Sequence, residues 1–231
     1  LMLLAIDTST TQIGLALYDG VQVTAECIWR SGLHHTEELA PALAELLGRV
    51  GINIKQIHAV GVALGPGSFT SLRVGLAFVK GLVLARRIPV LGIPTLDIVA
   101  AAVPPADAAA GKNQERKLAS ILQAGRGRLA MGWYHVEGNR WKAEGPATVT
   151  TANELAEKIH KPVLICGELT ADDRQRLARK FKNVCLASPA QCVRRPAILA
   201  ELAWLELQNG KMDTAEALAP IYLHVAGGIP E

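Results

Sequence analysis

The chain has 231 residues, half of them hydrophobic and 4% aromatic, with 24 Lys and Arg against 21 Asp and Glu for a formal net charge of +3. That length and apolar content bury one large core or two modest ones, which excludes a disordered chain. The small net charge does not by itself argue for nucleic-acid binding, because roughly six to ten phosphate contacts need a concentrated basic stripe.

Residues 3–6 read as a short apolar strand that ends in Asp7, followed by the hydroxyl-rich turn "TSTTQ" and an alternating strand over 13–18. Asp19-Gly20 is a two-residue hairpin signal and predicts a third strand over 21–28. From Thr36 the apolar spacing becomes helical through Leu39, Leu43, Leu46, Leu47 and Val50, with Gly51 placed to end the helix. A buried strand over 57–64 then runs into "GPGSFTSLRVG". Ser68 can cap a helix over 68–85, Arg86 and Arg87 complement its C-terminal dipole, and Pro89 stops it. Residues 90–93 read as a further strand, and Pro94-Thr95 opens a short helix through Ala101.

The Pro-, Ala- and Gly-rich stretch "VPPADAAAGKNQ" reads as a linker. It predicts a first domain over 1–102, a connection over 103–116 and a second domain over 117–231, with a helix at about 196–210 packing back on the first. Within the second domain, strands are expected over 118–123, 129–137 and 140–149, with turns at Gly125-Arg126-Gly127 and Glu137-Gly138-Asn139. Thr151 and Glu154 form a capping box for a helix to about His160. A strand over 163–166, a helix over 172–181, a strand over 184–187 and an amphipathic helix over 197–207 complete the order. The plan of the first half repeats, which predicts a duplicated α/β fold with the second copy reduced.

Chemistry-bearing motifs are few. A phosphate-binding Walker loop requires Lys-Ser/Thr at the helix entry, and here Phe69-Thr70 follow Ser68, so that reading fails. A bare helix N-terminus still attracts anions, although strand-to-helix turns without ligands are commoner. Asp7, Thr8 and Ser9 are the candidates for holding nucleotide phosphate and metal, against the alternative of a hydroxyl-rich turn that holds nothing. His34-His35 lack any zinc-helix spacing, and Ser68 has no nucleophile-elbow setting. Cys27, Cys166, Cys185 and Cys192 are widely spaced, which points to buried reduced thiols rather than zinc or a disulfide framework. The basic run Arg174, Arg176, Arg179, Lys180 and Lys182 reads as a solvated helix face, with RNA contact as the alternative. The opening "LMLLAID" lacks a basic leader region and no segment reaches the length of a membrane span, so a cytoplasmic protein without membrane association is expected.

The helix over 68–85 is apolar on more than one side, while Ser71, Gly75 and Gly81 leave shallow places for close approach. Two readings stay open for it, a partner interface and deep core burial.

Taken in order, "LLAIDTSTTQIGLALYDG", "HHTEELAPALAELL", "AVGVALGPGSFTSLRVGLAFVKGL", "IPVLGIPTL" and "PIYLH" resemble the TsaB (YeaZ) family. The resemblance implies two RNase H-like/actin–hexokinase superfamily domains, the second reduced. It also implies a part in making threonylcarbamoyladenosine in tRNA, as a partner of the catalytic protein TsaD and the ATPase TsaE. The metal-binding histidines of the catalytic relative fall on Thr95 and Val99 here, neither a useful ligand. The implied chain is therefore a non-catalytic subunit that requires no cofactor of its own, with ATP and magnesium belonging to the complex. Its expected partner interface comprises His35, Leu39, Leu43, Leu46, Ser71, Gly75, Phe78 and Leu82, used for TsaD or, when alone, for a homodimer; tRNA contact is expected to be indirect or weak. Two departures stand out, Ser71 where the family commonly has Gly and Gln123 in place of an acid at a strand end. The rival readings are an ATP-dependent phosphotransferase built on Asp7 and its turn, and a metallopeptidase that requires a bound metal.

Overall fold

The computed structural model describes residues 1–32, 34–105, 117–180 and 182–223. Most of the expected connection, Phe181 and the terminal "AGGIP" lie outside the described residues. In chain order the elements are β1 (Met2–Asp7), β2 (Gln12–Tyr18), β3 (Val23–Arg30), α1 (His35–Arg49), β4 (Ile57–Ala63), α2 (Phe69–Arg86), β5 (Val90–Ile93) and α3 (Thr95–Ala101). They continue as β6 (Lys117–Gln123), β7 (Leu129–Glu137), β8 (Arg140–Ala143), β9 (Thr148–Thr150), α4 (Ala152–Lys158), β10 (Val163–Gly167), α5 (Ala171–Ala178), β11 (Val184–Leu186) and α6 (Pro196–Gln208). Two compact units result, one from Leu1–Ile98 and Arg194–Ile221, the other chiefly from Val99–Val193.

The first unit holds a five-stranded sheet in the order β3-β2-β1-β4-β5. The β1–β2 and β2–β3 pairs are antiparallel, while β4 runs parallel to both β1 and β5. Alternation along β1 sends Leu4 and Ile6 to one face and Leu3 and Ala5 to the other, all fully buried. On the first face they meet Leu39, Leu43, Leu46 and Leu47 of α1 and Leu76, Val79 and Val83 of α2. Each such side chain contributes about 1.5–3 kcal/mol by leaving water. The opposite face is built of Ala5, Ala16, Ala59 and Ala63, and against it pack Leu199, Ala200 and Ala203 of α6. Small residues let that helix come close: a Cβ on Gly61 would stand 2.7 Å from the Cβ of Ala203. Ala203→Leu would overfill this contact at a cost of about 1–3 kcal/mol.

Helix ends follow the capping logic of the sequence. Gly51 has φ +66, and the N–H groups of Gly51 and Ile52 return to the carbonyls of Gly48 and Leu47, which closes α1. The Ser68 side chain caps the start of α2. Arg87, in the left-handed conformation with φ 51, ends it before Pro89 is reached. The hairpin expected at Asp19-Gly20 is longer than two residues, because the Asp19 carboxylate accepts N–H bonds from Val21 and Gln22 and delays β3 to Val23.

The second unit repeats the plan. Its sheet runs β11-β10-β6-β7-β8, with β6–β7 and β7–β8 antiparallel and β10 parallel to β6 and β11. The helices are trimmed, with 7 residues in α4 against 15 in α1 and 8 in α5 against 18 in α2. Thr151 and Thr170 each open a helix through a full capping box, with Glu154 and Asp173. The single strand expected over 140–149 is two strands: β8 and β9 both pair with β7, and the Gly145-Pro146 stretch separates them. A proline cannot donate to a ladder, which accounts for the break.

Candidate functional site

Asp7 ends β1 at 1% exposure, a carboxylate held away from water. Burial of an unpaired charge is costly, and here the charge is answered. The Ser9 N–H donates to Asp7 Oδ1 at 2.8 Å, and Arg194 Nε donates to Asp7 Oδ2. Arg194 is also 1% exposed; its Nη2 donates to Thr10 Oγ1 at 3.0 Å and to the Gln12 carbonyl at 3.1 Å. Gln12 Nε2 returns a bond to the Arg194 carbonyl at 2.8 Å. The next residue, Arg195, pairs with Glu26 of β3, and Glu26 also accepts the Ala197 N–H at 2.9 Å. The start of α6 is thus fastened to the meander, and the Arg194 guanidinium is delivered into the turn between β1 and β2.

The loop "GPGS" closes over the same turn. Ser68 N–H donates to the Ser9 carbonyl at 2.7 Å, and a Cβ on Gly67 would stand 2.1 Å from that oxygen. Only glycine fits such an approach. Thr8 Oγ1 donates to the Ser71 carbonyl at 2.9 Å and fills the space where a Gly75 Cβ would lie, 2.0 Å away. Ser9 Oγ and Thr95 Oγ1 share a hydrogen bond of 2.8 Å, and Thr95 Oγ1 also accepts the Gly65 N–H at 2.9 Å. His35 Nε2 lies 3.0 Å from the Thr10 carbonyl, so α1 is tied to the turn as well. The structure therefore brings Asp7, Thr8 and Ser9 together, and partners from within the unit engage each of the three side chains.

The residues expected at a partner interface divide. His35, Leu39, Leu43, Leu46, Ser71 and Gly75 are buried within the first unit, whereas Phe78 and Leu82 are half-buried. Gly75 answers the close approach of Thr8, and Gly81 has open space where its Cβ would be. The exposed side of α2 carries Phe69 at 53%, Arg73, Ala77 and Leu84 at 58%, with the Arg73 guanidinium 3.9 Å from the Phe69 ring centroid. Between α1 and α2 lies an open, mainly apolar hollow of about 380 Å³ lined by His35, Thr36, Leu39, Arg73, Val74, Ala77 and Phe78.

Sequence reasoning missed Arg194, which stands far from the turn in the chain and belongs to no motif. It also missed the outward stripe of α2, because a helix apolar on most sides does not announce which side remains exposed. The expectation of uniformly buried thiols needs correction: Cys166 is buried, Cys27 and Cys192 are half-buried and Cys185 is exposed, since β11 is short and its residues alternate towards solvent. The basic run is partly engaged, with Arg176 bonded to Asp172 and Asn153 and Arg174 to the Ala187 carbonyl. Among the described residues no three His, Cys, Asp or Glu side chains are grouped to hold a metal ion, and no helix is long and apolar enough to cross a membrane.

The tRNA threonylcarbamoyladenosine biosynthesis protein TsaB of Bacillus subtilis is 28% identical over 228 residues, covering 97% of this chain and 94% of that protein. Residues 30–219 match the family model described as TsaD: tRNA N6-adenosine threonylcarbamoyltransferase. The chain belongs to this family, in its TsaB/YeaZ branch. The solved structure of YeaZ from Pseudomonas aeruginosa aligns with 96% of this chain and 99% of its own at a TM-score of 0.73 and 22% identity, and so shares its fold. Component A of the (R)-2-hydroxyglutaryl-CoA dehydratase of Acidaminococcus fermentans aligns over 90% of this chain and 99% of its own, with a TM-score of 0.51 and 13% identity. The fold is accordingly the α/β architecture of these two solved structures, here with two mixed sheets and shorter helices in the second unit. Thr95, the position onto which the resemblance placed a metal histidine, is fully buried and bonded to Ser9 and Gly65.

Proposed function

We propose that this chain is a non-catalytic subunit in the biosynthesis of tRNA threonylcarbamoyladenosine, and that it binds and supports a TsaD-type threonylcarbamoyltransferase beside a TsaE-type ATPase in the cytoplasm. The observation that carries this reading is Arg194. In the turn where a fold of this kind would present a carboxylate to nucleotide and metal, both oxygens of Asp7 are already engaged, one by Ser9 N–H and the other by a buried guanidinium. A magnesium nucleotide does not fit the turn as built: the cation would have to displace Arg194, and the Gly67-to-Ser9 approach leaves no room for a phosphate beneath the loop. On this reading the chain needs no cofactor of its own, and ATP and magnesium act elsewhere in the complex.

The partner surface is the outward side of α1 and α2. Phe69, Ala77, Phe78 and Leu84 provide apolar area and Arg73 a charged rim, while the leucines behind them hold the two helices in place. A specific complex on such a face buries on the order of 1,600 Å² in total. When the transferase is absent a second copy takes the same face, giving a homodimer, and tRNA contact is left to the partner. Calorimetry of the isolated chain with Mg-ATP tests the non-catalytic reading. No binding is expected, and tight binding would favour the phosphotransferase reading over this one.

A further inference from the structure

Two cysteines widely separated in the sequence come together in the second unit. Cys166 lies in β10 without solvent exposure, and its thiol is 3.5 Å from the carbonyl of Gln191, the residue before Cys192, and 3.7 Å from the Val99 carbonyl, while the N–H of the next strand residue, Gly167, meets the Cys192 sulfur. Cys192 is half-buried, and its Sγ accepts a bond from Arg174 Nη2 at 3.1 Å and from the Gly167 N–H at 3.4 Å. The donors are held in place. Arg174 Nη1 is anchored on the Ala187 carbonyl at 3.2 Å, and α5 itself begins in the Thr170–Asp173 capping box. Gly167 has φ +127, and a Cβ there would stand 1.9 Å from the Ile121 carbonyl oxygen, so the N–H is aimed by a backbone only glycine adopts.

Convergence of an amide and a guanidinium on one sulfur favours its thiolate. The hydrogen bond from Cys166, followed by those from Gly167 and Arg174, lowers the Cys192 pKa against the opposing effect of burial. Cys166 moves the other way, raised by its hydrogen bond to Cys192 and by burial. The fixed donors thus serve the Cys192 sulfur, with Cys166 buried beside it.

We propose that Cys192 is a reactive thiol and Cys166 its resolving partner, together a modification site at which a hydroperoxide converts the pair to an intramolecular disulfide. The Cys192 thiolate attacks the terminal oxygen of the hydroperoxide; the O–O bond breaks, and the alkoxide or hydroxide leaves and takes up a proton. Cys192 becomes a sulfenic acid. The Cys166 sulfur then attacks the sulfenic sulfur, its proton leaves with the displaced hydroxide as water, and the S–S bond forms. The peroxide is reduced by two electrons and the two thiols are oxidised by two.

Exposure alone would make Cys185 the first thiol to react, which gives the test its contrast. The full chain is treated with iodoacetamide, quenched at intervals, and each cysteine peptide is quantified by mass spectrometry. Cys192 is expected to react about tenfold faster than Cys185, and Arg174→Gln to remove most of that advantage while the Cys185 rate stays unchanged. After hydrogen peroxide and non-reducing digestion, a peptide linking Cys166 to Cys192 is expected, reversed by dithiothreitol and missing in Cys192→Ser. Faster reaction at Cys185, or oxidation of Cys192 to the sulfinic acid with no link to Cys166, would overturn the proposal.

Discussion

The turns that follow β1 and β6 hold the same place in two copies of one plan. In the first copy the strand ends in Asp7, the turn is buried, and a guanidinium from the start of α6 answers the charge. In the second the strand ends in Gln123, whose Nε2 donates to the Glu168 carbonyl at 3.2 Å and to Asp173 Oδ2 at 2.9 Å. That turn closes on itself through Ala124 and Arg128, stands largely in solvent, and runs through Gly125, Arg126 and Gly127, all at positive φ. A buried carboxylate requires a counter-charge, whereas an amide at the rim requires only ordinary hydrogen bonds. The same position is therefore an energetic keystone in one copy and a modest contact in the other.

The largest expected effect breaks the first copy. Asp7→Ala, which strands Arg194, is expected to cost about 3–5 kcal/mol in urea denaturation, with Arg194→Ala similar, while the apolar pair Asp7→Leu with Arg194→Met recovers much of the loss. Next, Gly67→Ala places a methyl against the Ser9 carbonyl and should cost about 1–3 kcal/mol, as overpacking does. The matching change in the second copy, Gln123→Ala, is expected to cost only about 0.5–1.5 kcal/mol. If Asp7→Ala proved no more harmful than Gln123→Ala, the contrast between the two turns would be wrong. The smallest effect has the opposite sign: Gly81→Ala, on an exposed side of α2 with open space around it, should raise stability by up to about 1 kcal/mol.

Much of this was legible in the sequence because local signals agreed with the fold. The alternation in β1, the leucine spacing of α1, the Ser68 and Thr151 caps and the repeated order of strands and helices all carried through to the structure. What could not be read depends on contacts between distant segments. Nothing near Arg194 in the sequence points to Asp7, and nothing near Cys192 points to Cys166. Gly75 shows the same limit, since a mid-helix glycine signals close approach without saying by what, and here Thr8 fills the space. Leu43 likewise has helical spacing suited to an interface, yet it faces the core, so Leu43→Glu is expected to damage folding rather than association alone.

The proposed partnership is tested most directly by co-elution with a TsaD-type threonylcarbamoyltransferase, with the wild-type chain and Ala77→Glu compared by size-exclusion chromatography and light scattering. Ala77 is exposed on α2 and lines the hollow beside α1, so the variant is expected to keep the wild-type melting transition. The wild-type chain is expected to form the complex, and Ala77→Glu to lose tenfold or more in affinity, about 1.4 kcal/mol. Full-affinity binding by the variant, or no complex with the wild-type chain, would contradict the claim that this face holds the partner.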